Sequence, residues 1–194
     1  AATDFASIQV RNRATIAGNQ SRASPSADTL PPLIADGAVV RIRGSGGERR
    51  VPLQEFCVGP GRTVLASDEI VTHIEIPAPM PRTGKSYIKL GRRQQMELAT
   101  VGVAAHVTLD ESGLVADAAI VLASVAPTPL RAVKAESRLR GNAPSSEIVD
   151  AAARAASEEA RPIDDVRASA SYRTEMVHVL TRRAVEQAIK EAQA

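Results

Sequence analysis

The segment Pro77-Ala78-Pro79-Met80-Pro81 constrains the fold more than any other feature of this 194-residue chain. Three prolines in five residues fix φ, withhold backbone donors from any sheet, and make a stiff linker. The patterns on its two sides differ. On the C-terminal side, three strand-like runs (85–90, 100–109 and 115–124) are separated by turn residues at Gly91 and at Asp110-Glu111-Ser112-Gly113, which describes an antiparallel meander. Helical spacing then takes over at 130–139, at 145–160 behind a serine cap with Glu147 following, and at 168–192. In the last of these, Tyr172, Met176, Val179, Leu180, Ala184 and Ile189 are expected to share a buried stripe. Three strands must bury one face, and three helices supply the layer, so the expected class is α+β.

The N-terminal side reads as a helix over 1–9, an irregular binding loop over 10–27, a short helix over 28–35 and a hairpin of 39–43 with 49–53 turning at Gly44-Ser45-Gly46-Gly47. A loop at Val58-Gly59-Pro60-Gly61 and an alternating strand over 70–76 follow. Proline at position 31 suits a first helical turn. Domain boundaries are expected at 1–80 and 84–194.

Composition excludes several function classes. Lys+Arg 24 against Asp+Glu 22 leaves no field that would draw nucleic acid, and four aromatics make no base-stacking platform. One cysteine, Cys57, excludes an internal disulfide framework and a cysteine-ligated cluster on this chain, and directs the reading to the cytoplasm. No apolar run approaches membrane-spanning length. His73, His106 and His178 lack metal-ligand spacing, so packing is the expected role for each.

Chemistry concentrates in Arg11-Asn12-Arg13-Ala14-Thr15-Ile16-Ala17-Gly18-Asn19 and Ala23-Ser24-Pro25-Ser26-Ala27-Asp28. Gly18 permits close backbone approach, and Thr15, Asn19 and Ser24 can donate to phosphate or sugar oxygens. Asp28 can accept from sugar hydroxyls or cap the helix that follows it. Neither a P-loop lysine nor a three-glycine dinucleotide fingerprint is present, so the segment reads as a nucleotide or dinucleotide cradle of another kind.

This segment resembles the second flavin motif of the medium subunit of molybdenum hydroxylases, the family of xanthine dehydrogenase and aerobic carbon monoxide dehydrogenase. The resemblance continues in order through Phe56-Cys57-x-Gly59-Pro60-Gly61-x-Thr63-x-Leu65, Asp68-Glu69-Ile70, Ile74-x-Ile76-Pro77 and Tyr87-x-Lys89-x-Gly91-Arg92-Arg93. It runs on through Ala126-Pro127-Thr128-Pro129-x-Arg131-Ala132, Pro162-x-x-Asp165-x-Arg167-Ala168-Ser169 and Tyr172-Arg173. It implies that residues 1–80 form the second subdomain of a flavin-binding domain and that 84–194 form the subunit's C-terminal domain. It also implies FAD as cofactor, with Thr15, Gly18, Asn19, Ser24 and Asp28 at the pyrophosphate and ribityl region, Phe5 near the adenine, and Val71 and Lys89 near the flavin ring. A cation there favours reduced, anionic flavin. Lys89 has a solvated strand face as its ordinary alternative, while Phe5 and Val71 have core packing as theirs.

The implied partners are a large molybdenum–pterin subunit and a small subunit with two [2Fe–2S] clusters, which feed electrons to FAD for an external acceptor. No catalytic base is expected on this chain. Two departures from the family pattern stand out. Ala17 occupies the first position of the loop's usual glycine pair, and the family's first flavin subdomain is absent from these residues. That subdomain is expected on another chain, on a cleaved segment or upstream of Ala1. Two alternatives stay open: a flavin-free scaffold subunit of the same kind of complex, docking partners through arginine-rich surfaces, and a stand-alone binder of another nucleotide. Arg92 and Arg93 are expected to be structural or interfacial, and Arg167 and Arg173 to pin the last helix to the sheet.

Overall fold

In the computed structural model the described residues are 2, 5–93 and 96–194. The chain starts with three short helices, α1 (Ile8–Arg11), α2 (Ile16–Ser21) and α3 (Leu30–Ala35). The hairpin β1 (Val39–Gly44) and β2 (Gly47–Pro52), helix α4 (Leu53–Phe56), a second small hairpin β3 (Cys57–Gly59) and β4 (Arg62–Thr63), and strand β5 (Ile70–Glu75) complete the first unit. In β1, Val40 and Ile42 point inward and are fully buried, while Arg41 ion-pairs with Glu48 across the hairpin. This is the period-2 alternation of a half-buried strand. The strand order is β2-β1-β5, and the turn closes at Gly47 with φ +115°, a conformation open to glycine. The β2 edge carries Glu48, Arg49 and Arg50, and charge of this kind discourages edge-to-edge pairing.

The second unit holds β6 (Thr83–Leu90), β7 (Val101–Leu109), β8 (Val115–Ala123), a two-residue β9 (Leu130–Arg131), and helices α5 (Val133–Leu139), α6 (Ser146–Glu159) and α7 (Ala170–Ala192). The sheet is antiparallel, in the order β6-β7-β8-β9. Thus the expected meander is present with one more strand than the three expected. Ser145 and Ser169 cap α6 and α7, accepting from the backbone N–H of Ile148 and Tyr172. Helix α7 lies so close to β6 that a Cβ on Gly84 would fall 1.9 Å from the Ala188 carbonyl oxygen, so this crossing requires glycine.

Several expectations need correction. The helix over 1–9 falls partly outside the described residues; within them only Ile8–Arg11 is α-helical, and Ala6 has φ +48°. Residues 10–27 are not irregular throughout, because Ile16–Ser21 forms α2 with Thr15 as its cap. Leu130 and Arg131 are strand, so the helix expected from 130 begins at Val133. Tyr172 is exposed, and the buried stripe of α7 runs through Arg173, Val177, Leu180, Ala184, Val185, Ala188 and Ile189.

The sheet of the second unit is covered on both faces. One face packs on α5, α6 and α7, through Val103, Val107, Ile120 and Leu122. The other contributes Ala104, Ala119 and Val121 to the core of the first unit, beside Leu30, Ile34 and Phe56. The two units therefore share one hydrophobic layer, and the segment from 24 to 28 is held against β6 and the end of β8 through Asp28 and Pro25.

Candidate cofactor site

The site is built where α2, the turn after it and β6 meet. Thr15 caps α2: its Oγ1 accepts from the Gly18 N–H at 2.9 Å, leaving its hydroxyl proton to donate elsewhere. A Cβ on Gly18 would fall 2.9 Å from that same oxygen, so the glycine also preserves the cap. Ala17 lies inside α2, where φ is negative, and alanine is unstrained there. The backbone then turns at Ala23, buried with φ +47°, and delivers Ser24, Pro25 and Ser26 to the surface of the second unit. The Ser124 N–H donates to the Pro25 carbonyl at 2.9 Å, and the Ser124 hydroxyl donates to Ser26 Oγ at 2.9 Å.

Asp28 is the centre of the arrangement. It is buried, with Oδ2 at 2.8 Å from Lys89 Nζ and Oδ1 accepting from the Tyr87 hydroxyl at 3.0 Å. Tyr87 and Lys89 are two apart on β6 and so project from one face. The space for Tyr87 comes from Gly102 on β7, where a Cβ would stand 3.0 Å from the tyrosine oxygen. Sequence reasoning selected Asp28 and Lys89 separately and missed that they form one ion pair. It also missed Tyr87, although its two-residue spacing from Lys89 is visible in the sequence.

A cleft of about 400 Å³ opens above Asp28. Of the residues expected at the site, Phe5, Asn19, Ser24 and Asp28 line it; Arg22, Met96, Glu97 and Leu98 add to its walls. Asn19 Oδ1 accepts from the Thr29 hydroxyl at 2.6 Å, and its Nδ2 has no partner among the described residues. Ser24 Oγ accepts from the Ser26 N–H. Thr29, not Asp28, occupies the cap position of α3. Thr15, Gly18, Val71 and Lys89 do not line the cleft: the first two lie at the start of α2, Val71 sits on β5 opposite Ile42 and packs on the first core, and Lys89 reaches the site through Asp28.

The remaining candidates have structural partners. Arg173 is buried and donates to the Thr100 and Ser124 carbonyls and to Asp165, so it pins α7 to the sheet. Among the described residues Arg167 ion-pairs with Asp165 alone, so it does not itself pin α7 to the sheet as expected. Arg92 and Arg93 are exposed and share Glu97. The Arg167 and Ala168 N–H groups and Arg173 hold the Asp165 carboxyl at about 2. Burial pushes the Cys57 thiol up to about 11, making it a small apolar residue. His106 contacts Asp36, His178 contacts Asp150, and His73 is exposed. Among the described residues no group of three or more histidine, cysteine, aspartate or glutamate side chains could hold a metal, and no helix is long and apolar enough to cross a membrane.

Residues 1–79 match the family model for the FAD binding domain in molybdopterin dehydrogenase, and residues 86–188 match that for the CO dehydrogenase flavoprotein C-terminal domain. The chain belongs to this flavoprotein family. Among its relatives is the carbon monoxide dehydrogenase medium chain of Hydrogenophaga pseudoflava, 39% identical over 189 residues that cover 97% of this chain and 65% of the relative. A putative xanthine dehydrogenase FAD-binding subunit of Escherichia coli is 31% identical over 193 residues, covering 99% of this chain and 66% of that protein. The solved carbon monoxide dehydrogenase of H. pseudoflava superposes with a TM-score of 0.93 at 37% identity, covering 97% of this chain and 65% of that one. Quinoline 2-oxidoreductase of Pseudomonas putida superposes with a TM-score of 0.91 at 27% identity, covering 98% and 66%. The chain thus spans about two thirds of the length of these flavoprotein relatives.

The cleft suits the cofactor of this family. An unpartnered amide donor at Asn19 and serine hydroxyls match the oxygen-rich phosphate, ribityl and ribose parts of FAD. Beside them, Phe5 and Leu98 offer apolar wall to a flat ring.

Proposed function

We propose that this chain is the FAD-holding part of the medium subunit of a molybdenum hydroxylase, working in the cytoplasm with a large molybdenum–pterin subunit and a small [2Fe–2S] subunit. Bound here, FAD would supply the redox chemistry that links the iron–sulfur clusters of the partner subunit to an external acceptor. Residues 1–80 act as the second flavin subdomain and 84–194 as the C-terminal domain; the first flavin subdomain comes from residues or a chain outside these 194. The observation that carries this reading is the cleft over buried Asp28, lined by Asn19 and Ser24 and fixed from β6 by Lys89 and Tyr87.

In this reading each residue has a part. Asn19 Nδ2 and the hydroxyls of Thr15 and Ser24 donate to phosphate or ribityl oxygens, and Gly18 keeps the α2 backbone open to them. Asp28 uses its remaining lone pairs on sugar hydroxyls. Phe5, in the cleft wall, would lie toward the adenine, and the β5 backbone at Val71, outside the cleft, would lie toward the ring. Lys89, ion-paired with Asp28, would hold that carboxylate in place and set a positive charge beneath the site that would favour an anionic flavin.

Substitution of Asn19 tests the reading. Removing one donor to a charged oxygen costs about 1.5–3 kcal/mol, or about tenfold to a hundredfold in affinity. In the assembled complex, Asn19→Ala is expected to release FAD at least tenfold more readily than the Tyr172→Phe control. Equal retention of flavin in both would remove Asn19 from the cofactor site.

A further inference from the structure

A second cavity, of about 330 Å³, lies between the two units. It is separated from the cofactor cleft by Ser26, which lines both. Pro25 and Pro60 of the first unit and Ala126, Pro127 and Ile163 of the second make its walls predominantly apolar. Its size and its place at an interdomain seam are those of a small-molecule site.

The charges at this cavity are of one prevailing sign. Among the described residues, Arg161, Arg167 and Arg173 line it against a single carboxylate, Asp165. That carboxylate is already saturated. Its Oδ1 accepts from the Arg167 and Ala168 N–H groups and from Arg173, and its Oδ2 accepts from the Arg167 guanidinium. The guanidiniums are not. Arg173 is 3% exposed, yet its Nε has no acceptor among the described residues, and buried N–H groups of charged side chains are normally paired. Arg161 bonds through one terminal nitrogen to the Glu158 and Ala160 carbonyls, and Arg167 through one to Asp165, which leaves further N–H groups on each. An apolar chamber with excess guanidinium donors selects a ligand with an apolar body and one anionic end, and a planar carboxylate matches the guanidinium fork.

We propose that this cavity binds a small organic monocarboxylate with an aromatic or branched apolar body, its carboxylate at Arg161 and Arg167 and its body against Pro60, Pro127 and Ile163. The site is separate from the cofactor cleft, and its test needs no flavin.

The test is calorimetric titration of the 194-residue chain with benzoate, with acetate and inorganic phosphate as controls. Benzoate is expected to bind saturably at one site per chain. Acetate lacks the body and phosphate lacks both body and planarity, so each is expected to bind at least tenfold more weakly. Arg161→Gln and Arg167→Gln are each expected to weaken benzoate at least tenfold. Ile163→Asp, at a wall residue 71% exposed and therefore tolerant of change, is expected to abolish binding with the far-ultraviolet circular dichroism unchanged. Absence of saturable benzoate binding overturns the proposal. So does equal binding of phosphate, which would mark a general anion patch, or benzoate affinity that is unchanged in all three variants.

Discussion

Lys89 and Asp28 face each other at 2.8 Å with side chains only 10% and 6% exposed, and this pair gives the most direct energetic handle on the fold of the site. Removing one member leaves the other charge buried without its partner, at a cost of about 3–5 kcal/mol. Removing both leaves a neutral contact of similar volume that costs little. Lys89→Met and Asp28→Asn should each therefore destabilise the chain by about 3 kcal/mol or more, while the double variant should stay close to the parent. With a urea slope of roughly 2 kcal/mol/M, each single substitution moves the unfolding midpoint down by about 1.5 M. Tyr87→Phe removes one hydrogen bond to the charged acceptor and should cost about 1.5–3 kcal/mol. Urea unfolding followed by circular dichroism for the parent, the two single variants and the double variant completes the cycle. Additive single effects, within about 0.5 kcal/mol, would refute a coupled pair, as would single costs below about 1 kcal/mol.

Other substitutions test other parts of the structure. Gly84→Ala would drive a Cβ into the Ala188 carbonyl and should cost at least about 1–3 kcal/mol, seen as a lowered thermal midpoint. Asp165 is held at about 2, chiefly by the Arg167 N–H and further by Arg173, against 3.8 when unperturbed. A depressed folded-state value stabilises the fold above the unfolded pKa, so this contribution should be complete above pH 4 and vanish as pH falls toward 2. Asp165→Asn should flatten the pH dependence of urea unfolding across that window. Cys57 should resist thiol reagents at pH 8 in the native protein and react fully in denaturant, because burial raises its thiol to about 11.

Much of this architecture was legible where a single local rule dominated. The runs at 70–76 and 39–43 identified strands, although Ile70 and Ile76 are exposed and it is Val71 and Ile74, across a register shift, that pack on the core; the serine before 146 identified a capped helix. The misreadings have physical causes. Helix α2 is six residues long and contains glycine and asparagine, so its stability comes from the Thr15 cap and tertiary contacts rather than propensity. Strand β9 is two residues paired to β8, too short to display any period. The double burial of the sheet was written in β7, whose Val-Gly-Val-Ala-Ala-His-Val-Thr-Leu run is nearly continuous in apolar residues rather than alternating.

At the site, the residue types were readable but their partnerships were not. Asp28 and Lys89 are 61 positions apart, and they meet because α3 packs on β7 and β8 and brings the first unit onto the sheet. Gly102, which clears room for the Tyr87 hydroxyl, carries no local signature at all. Ordered motifs across nearly the whole chain conveyed the family where no single motif was specific.

The most direct test of the central claim is the visible absorption spectrum of the complex purified with its native partners, with the released cofactor identified by mass. The account predicts FAD, one per copy of this chain, alongside iron–sulfur bands and molybdenum. Iron–sulfur and molybdenum with no flavin would contradict it and leave a scaffold subunit in its place.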